Sequence, residues 1–240
     1  MAPKIAPWLM LFSRTALFFT VQALFAFGFY LSGSASAWEA GANWWPIAVA
    51  SANLVVLALL IRLFKSEGKR YWDIFRFERQ HIKGDLLAVL GITLLAAPVS
   101  YLPNVMLGTL LFGSPEATLD LFIRPLPLWA VYLSVLVFPL TQGVTELPTY
   151  FGYVMPRFKA QGMQKWLAIS LPALMLGLQH IAVPFLLDMR FITWRALMYI
   201  PFAFLLGIAI HWRPRLLPYF AIIHVLMNMS LAPMFLAVAY

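Results

Sequence analysis

The sequence predicts an all-α fold, a polytopic transmembrane helical bundle of about seven spans. Three observations carry that expectation. Of 240 residues, 62% are hydrophobic and only 11% are charged, whereas soluble domains carry about 25% charged residues. The mean hydropathy is +0.83, which is more apolar surface than a soluble core of this length would bury. The apolar residues also gather into runs of about 20, the length that crosses the hydrocarbon layer as a helix.

In chain order the expected spans are 12–32, 44–64, 84–102, 126–154, 166–186, 192–211 and 215–238, all within a single integral membrane domain over 1–240. The first starts beside Arg14 and ends in SGSASAW, a pattern shared with secretory signals. Its apolar run from Thr15 to Leu31 is long for a signal core, and another span follows closely, so it reads as a span. The second opens on Trp44 and Trp45, aromatic anchors suited to the interface, and holds Asn53. Ahead of the third comes KSEGKRYWDIFRFERQHIK, where Tyr71, Trp72, Phe75 and Phe77 interleave with basic residues as in an amphipathic surface segment. The piece 104–112 is too short to cross alone and is expected to lie in the interface or re-enter. The fourth is too long for a simple span and is expected to tilt or break near Pro139 or Pro148.

Charge sets the expected orientation. Seventeen Lys and Arg against nine Asp and Glu leave a net +8. Lys4 and Arg14, the 65–83 stretch, RFKAQGMQK and HWRPR fall on one side of the predicted spans, and the acidic loops fall on the other. The positive-inside rule then places the N-terminus in the cytoplasm and the C-terminus outside, in a bacterial cytoplasmic (inner) membrane. Membrane lipids are thus the expected surroundings of the basic loops, and nucleic acid is not an expected partner. No cysteine is present, which excludes disulfides, thiolate chemistry and Cys-ligated metal. Nothing in the sequence indicates an oligomeric state.

Ionisable groups within a bilayer are expensive and mark function. Glu146 stands in TQGVTELPTY, Gln179 and His180 in LMLGLQHIAVPF, and His224 and Asn228 in AIIHVLMNMSLAP. His224 and Asn228 are four apart, so they share a helical face. Gly177, one turn before His180, would let another segment approach closely. Asn53 and Gln142 would line the same cavity or make packing hydrogen bonds. Two chemistries suit a carboxylate and two imidazoles brought together. Glu146, His180 and His224 could bind Zn²⁺ or another divalent metal that polarises a water. Alternatively, Glu146 and His180 activate the water directly while His224 and Asn228 stabilise an oxyanion. Asn228 fits either, since an amide can coordinate or donate. A small-solute or ion transport path is the main rival, weakened by the lack of visible inverted repeats. The serine signal G-x-S-x-G and the zinc helix H-E-x-x-H are both absent from the sequence.

The three segments together resemble the CAAX protease and bacteriocin-processing (CPBP, or Abi) family of intramembrane proteases. The family pairs an EExxxR motif with FxxxH and HxxxN. MLGLQH, ending at His180, is similar to the second motif, and His224-Val-Leu-Met-Asn228 matches the third. The resemblance covers roughly 84–235. It implies an intramembrane endopeptidase that cuts a peptide or membrane-protein substrate, with Glu146, His180, His224 and Asn228 as catalytic residues. The first motif departs from the pattern. Thr145 stands where the first glutamate would be, Glu146 at the second, and Tyr150 in place of the arginine. Either Glu146 takes over the catalytic role, or the chain keeps the fold as a catalytically inactive scaffold or binding protein.

Overall fold

The computed structural model describes residues 4–240, and those residues form an all-helical bundle. In chain order the α-helices are α1 Ala6–Leu31, α2 Ala37–Asn43, α3 Trp45–Ser66, α4 Ile82–Phe112, α5 Glu116–Phe122 and α6 Leu128–Gly143. They continue with α7 Met155–Ala160, α8 Lys165–Leu178, α9 Met189–Leu197, α10 Ile200–Trp212, α11 Leu217–Met229 and α12 Ala232–Ala237. Among the described residues, six helical runs are long and apolar enough to cross a membrane. The fifth expected segment is α8 followed by a 3₁₀ turn, Gln179–Ala182.

Several prolines begin helices. Pro7, Pro46, Pro201 and Pro218 sit at the first positions of α1, α3, α10 and α11, where a missing N–H costs nothing. Pro98 and Pro103 behave otherwise, because α4 runs unbroken through both. The separate short piece expected at 104–112 is therefore the end of α4. In hydrocarbon no water competes for the carbonyls that the prolines release, so the helix persists. Leu86, Leu87, Leu90, Leu94 and Leu95 on α4 are exposed, as befits a helix turned toward lipid.

The long fourth segment breaks as expected. α6 stops at Gly143, and the chain resumes as a π-helical turn, Pro148–Val154, that leads into α7. Pro148 has no N–H to offer the carbonyl of Val144. The hydroxyl of Tyr71, from the 3₁₀ turn Tyr71–Phe75, donates to that carbonyl instead. Pro139 lies inside α6 without interrupting it.

Packing divides the interior into two apolar clusters. One gathers Leu11, Val56, Tyr150, Phe151 and Phe158. The other gathers Phe18, Val49, Trp45, Phe138 and Phe235. Along α1, Arg14 lies between Leu11 and Phe18; along α3, Asn53 lies between Val49 and Val56. A polar layer thus separates the clusters. Two glycines let helices close around it. A Cβ on Gly143 would stand 2.2 Å from Val225 Cγ2 and 3.1 Å from the Ala221 carbonyl oxygen, so α6 and α11 meet there. A Cβ on Gly177 would stand 2.8 Å from Ile200 Cγ1, which is the close approach its position suggested.

Candidate active site

The polar layer is organised by Arg14. Its position near the N-terminus suggests a charge on the membrane surface, but the structure corrects that reading: Arg14 is fully buried, 0% exposed. Starting at Ala6, α1 carries it about 12 Å into the bundle at 1.5 Å per residue. A guanidinium offers five N–H groups, and the protein supplies an acceptor for each. Nε donates to Gln179 Oε1 at 2.8 Å. Nη1 donates to Asn53 Oδ1 at 2.8 Å and to Thr145 Oγ1 at 2.9 Å. Nη2 donates to Gln142 Oε1 at 2.9 Å and meets Glu146 Oε2 at 3.3 Å.

Glu146 sits in the α6 break, where the chain leaves the helical path and a side chain can aim inward. It is 1% exposed. Besides Arg14, its Oε2 accepts a hydrogen bond from Gln142 Nε2. Its Oε1 faces His224 Nε2 at 3.4 Å, a contact without hydrogen-bond alignment, since that nitrogen has no hydrogen-bond partner in the protein. Removing a charge's only partner inside a protein costs about 3–5 kcal/mol, so Arg14 and Glu146 depend on each other.

The two histidines reach this centre from different elements, a short turn and a long helix. His180 lies on the 3₁₀ turn that ends α8, and its Nδ1 faces the carbonyls of Leu176 at 2.9 Å and Gly177 at 3.1 Å. Two carbonyl acceptors fix the proton on Nδ1 and leave Nε2 with its lone pair. The ring packs on Tyr199, centroid to centroid 4.5 Å. His224 and Asn228 share one face of α11, and Asn228 Nδ2 donates to the His224 carbonyl at 2.8 Å. Glu146, His180, His224 and Asn228 all line one cavity of about 160 Å³. A second, largely apolar cleft of about 310 Å³ opens between α4, α10 and α11 and shares His224, Phe202 and Met227 with the first.

Of the remaining expected residues, Gln142 and Gln179 also line the cavity, while Thr145, Tyr150 and Asn53 support it from behind. Thr145 accepts from Arg14 and donates to the Thr141 carbonyl at 2.7 Å. Tyr150 donates to Gln179 Oε1 at 3.1 Å, the same atom that Arg14 Nε uses. Asn53 Nδ2 donates to Gln142 Oε1 at 2.9 Å. Sequence reading overlooked two residues, Arg14 and Arg195. Arg14 reads as a surface charge because it lies near the N-terminus, although two turns of apolar helix precede it and four follow.

A metal ion does not suit this arrangement. Among the described residues no three His, Cys, Asp or Glu side chains are grouped as a metal-ligand set, so Glu146, His180 and His224 do not form one. The Arg14 guanidinium also neutralises the one carboxylate, and a second cation placed against it would be repelled at short range.

Comparison with known families adds one decisive match. Residues 127–230 fit the model of type II CAAX prenyl endopeptidase Rce1-like proteins. The chain carries an Rce1-like domain. That domain takes in Glu146, His180, His224 and Asn228 and is narrower than the resemblance read from the motifs. It excludes α1 and α3, which supply Arg14 and Asn53. No curated protein and no solved structure matches the chain.

Proposed function

We propose that the protein is an intramembrane endopeptidase in which Glu146 and His180 activate a water against a peptide bond. The observation that carries this reading is the pairing of Glu146 with Arg14 on one oxygen and His224 on the other, beside a cavity that His180 and Asn228 also line. The Rce1-like domain supports protease chemistry in general terms. Arg14 holds Oε2 of Glu146 at 3.3 Å and so aims the carboxylate, as a general base must be aimed.

In this mechanism the water sits between Glu146 and His180 Nε2. Its oxygen attacks the scissile carbonyl carbon as one proton passes to Glu146, and His180 Nε2 accepts a hydrogen bond from the other. His224 and the remaining N–H of Asn228 Nδ2 face the oxyanion of the tetrahedral intermediate. Glu146 then returns its proton to the amide nitrogen, the C–N bond breaks, and an amine and a carboxylic acid leave. Thr145 needs no carboxylate here, because its hydroxyl completes the Arg14 shell. The substrate enters from the bilayer through the cleft between α4, α10 and α11.

The test is cleavage of quenched fluorescent peptides by protein reconstituted in liposomes, comparing the parent with E146Q, H180A and H224A. Loss of a general base lowers turnover by about 10²–10⁴-fold, and E146Q is expected in that range. Equal turnover in all four proteins would overturn the proposal in favour of a binding or scaffold role.

A further inference from the structure

Of the buried polar atoms left without a hydrogen-bond partner among the described residues, two belong to side chains that line the cavity. One is His224 Nε2, which the proposed hydrolysis already uses. The other is Gln179 Nε2, which it does not. Gln179 is 1% exposed and stands immediately before His180 on the 3₁₀ turn that ends α8. Its carbonyl end is fixed from two sides: Oε1 accepts from Arg14 Nε at 2.8 Å and from the Tyr150 hydroxyl at 3.1 Å. A guanidinium can only donate, so the end facing Arg14 is the oxygen, and Nε2 is the free end.

The turn itself is held in place. Arg195 of α9 donates from Nε to the His180 carbonyl at 3.0 Å and from Nη2 to the Val183 carbonyl. The other amides of the polar layer have both ends engaged. Gln142 Oε1 accepts from Arg14 and Asn53 while its Nε2 donates to Glu146, and Asn53 Nδ2 donates to Gln142 and Thr141. A buried N–H without an acceptor is costly, and such groups are normally partnered by protein or by water. Gln179 Nε2 is therefore a donor held in the cavity wall, one residue from the histidine that meets the attacking water.

That water needs a third contact. Its two hydrogens go to Glu146 and to His180 Nε2. One lone pair attacks the scissile carbonyl carbon, and Glu146 and His180 leave the second without a partner. Held at two points only, the oxygen can pivot about the line joining them, and the attacking lone pair swings off the carbonyl. We propose that Gln179 is a catalytic residue whose Nε2 donates to the second lone pair of the water and so aims the first. As a proton leaves for Glu146, the oxygen takes on hydroxide character and its bond from Nε2 strengthens. The contact thus contributes more in the transition state than in the ground state. Gln179 loses no proton; the oxygen it holds enters the tetrahedral intermediate and departs in the product acid. This role rests on the peptidase reading.

Two substitutions that have only the loss of Nε2 in common test it. Q179E keeps an acceptor for Arg14 and Tyr150 but adds a charge; Q179M adds no charge but removes the acceptor. Both are compared with the parent in the liposome peptide assay, with turnover normalised to folded protein. Each is expected to lower kcat about 10²-fold, the scale of a lost preorganised donor, with KM close to the parent's. Q179M alone is expected to lose thermal stability, since it alone strands Arg14 Nε. Parental kcat in either folded variant would overturn the role, and a loss confined to Q179M would mark a side chain needed only to hold Arg14. A high-resolution structure of the parent tests the same point with no variant to fold. A water about 3 Å from Gln179 Nε2 and in reach of Glu146 and His180 is expected there. A water on Glu146 and His180 with Nε2 turned to another partner would overturn the role. A parent that cuts with Nε2 dispensable rejects this role alone; a parent that does not cut rejects the peptidase and the role together.

Discussion

At the scale of single residues, the question is where a guanidinium must come from. The family motif places an arginine at the position of Tyr150, but here the charge arrives from Arg14. Both side chains converge on Gln179 Oε1, at 2.8 Å from Arg14 Nε and 3.1 Å from the Tyr150 hydroxyl. A guanidinium at either position therefore has access to the same acceptor. R14Q is expected to lose about 3–5 kcal/mol of stability by stranding Glu146 and to lose turnover at least about 100-fold, the scale of a lost general base. The double variant R14Q/Y150R is expected to recover a measurable part of kcat with KM close to the parent's. A folded double variant as inactive as R14Q would show that the route taken by the arginine matters, not only its charge. Glu146, His180, His224 and Asn228 were legible in the sequence because each interrupts an apolar run. Arg14 was not, because a cation near the N-terminus reads as a surface charge until its 165-residue separation from Gln179 is closed in space.

At the scale of elements, the site depends on how near two helices can come. Gly143 ends α6 three residues before Glu146, and α11 crosses there one residue from His224. G143A would press a methyl group into Val225 and tilt α11 away, widening the 3.4 Å contact between Glu146 and His224. Overpacking of this kind typically costs about 1–3 kcal/mol. Because the tightest clash is with the Val225 side chain, the second change V225A is expected to restore much of both stability and turnover. G143A/V225A no better than G143A would point instead to the Ala221 carbonyl as the limiting contact. The break at Pro148 was legible in the sequence, since a proline after a long apolar run leaves a carbonyl unsatisfied. The hydroxyl that satisfies it was not, because Tyr71 sits in a segment whose basic and aromatic composition suggested only a membrane surface. The stretch 104–112 was not legible as part of α4, because Pro98 and Pro103 interrupt bonds in that lipid-facing helix without ending it.

On the scale of the whole molecule, the recognisable domain and the working site do not coincide. The Rce1-like match spans 127–230, yet the shell that holds Glu146 is closed by Arg14 of α1 and Asn53 of α3. The fold class was readable from composition, and the motifs pointed to the domain. The closing of the polar layer by the first two long helices is a tertiary fact with no local pattern. It predicts that α1 is part of the catalytic unit rather than an anchor. Cutting the chain in the loop between α1 and α2 tests this, because Gly33, at φ 84°, marks a turn where no neighbouring atom lies within 4 Å of an added Cβ. Residues 37–240 expressed alone are expected to be inactive in the membrane peptide assay. Co-expression with 1–36 is expected to restore cleavage and co-purification, since α1 packs against α2 closely enough that a Cβ on Gly41 would lie 2.7 Å from the Ala26 nitrogen. The same short fragment carrying R14Q is expected to co-purify without restoring cleavage, which separates helix packing from the charge it delivers. Full activity of 37–240 alone would show that Glu146 works without Arg14, and the polar layer would then be a structural seam beside the site.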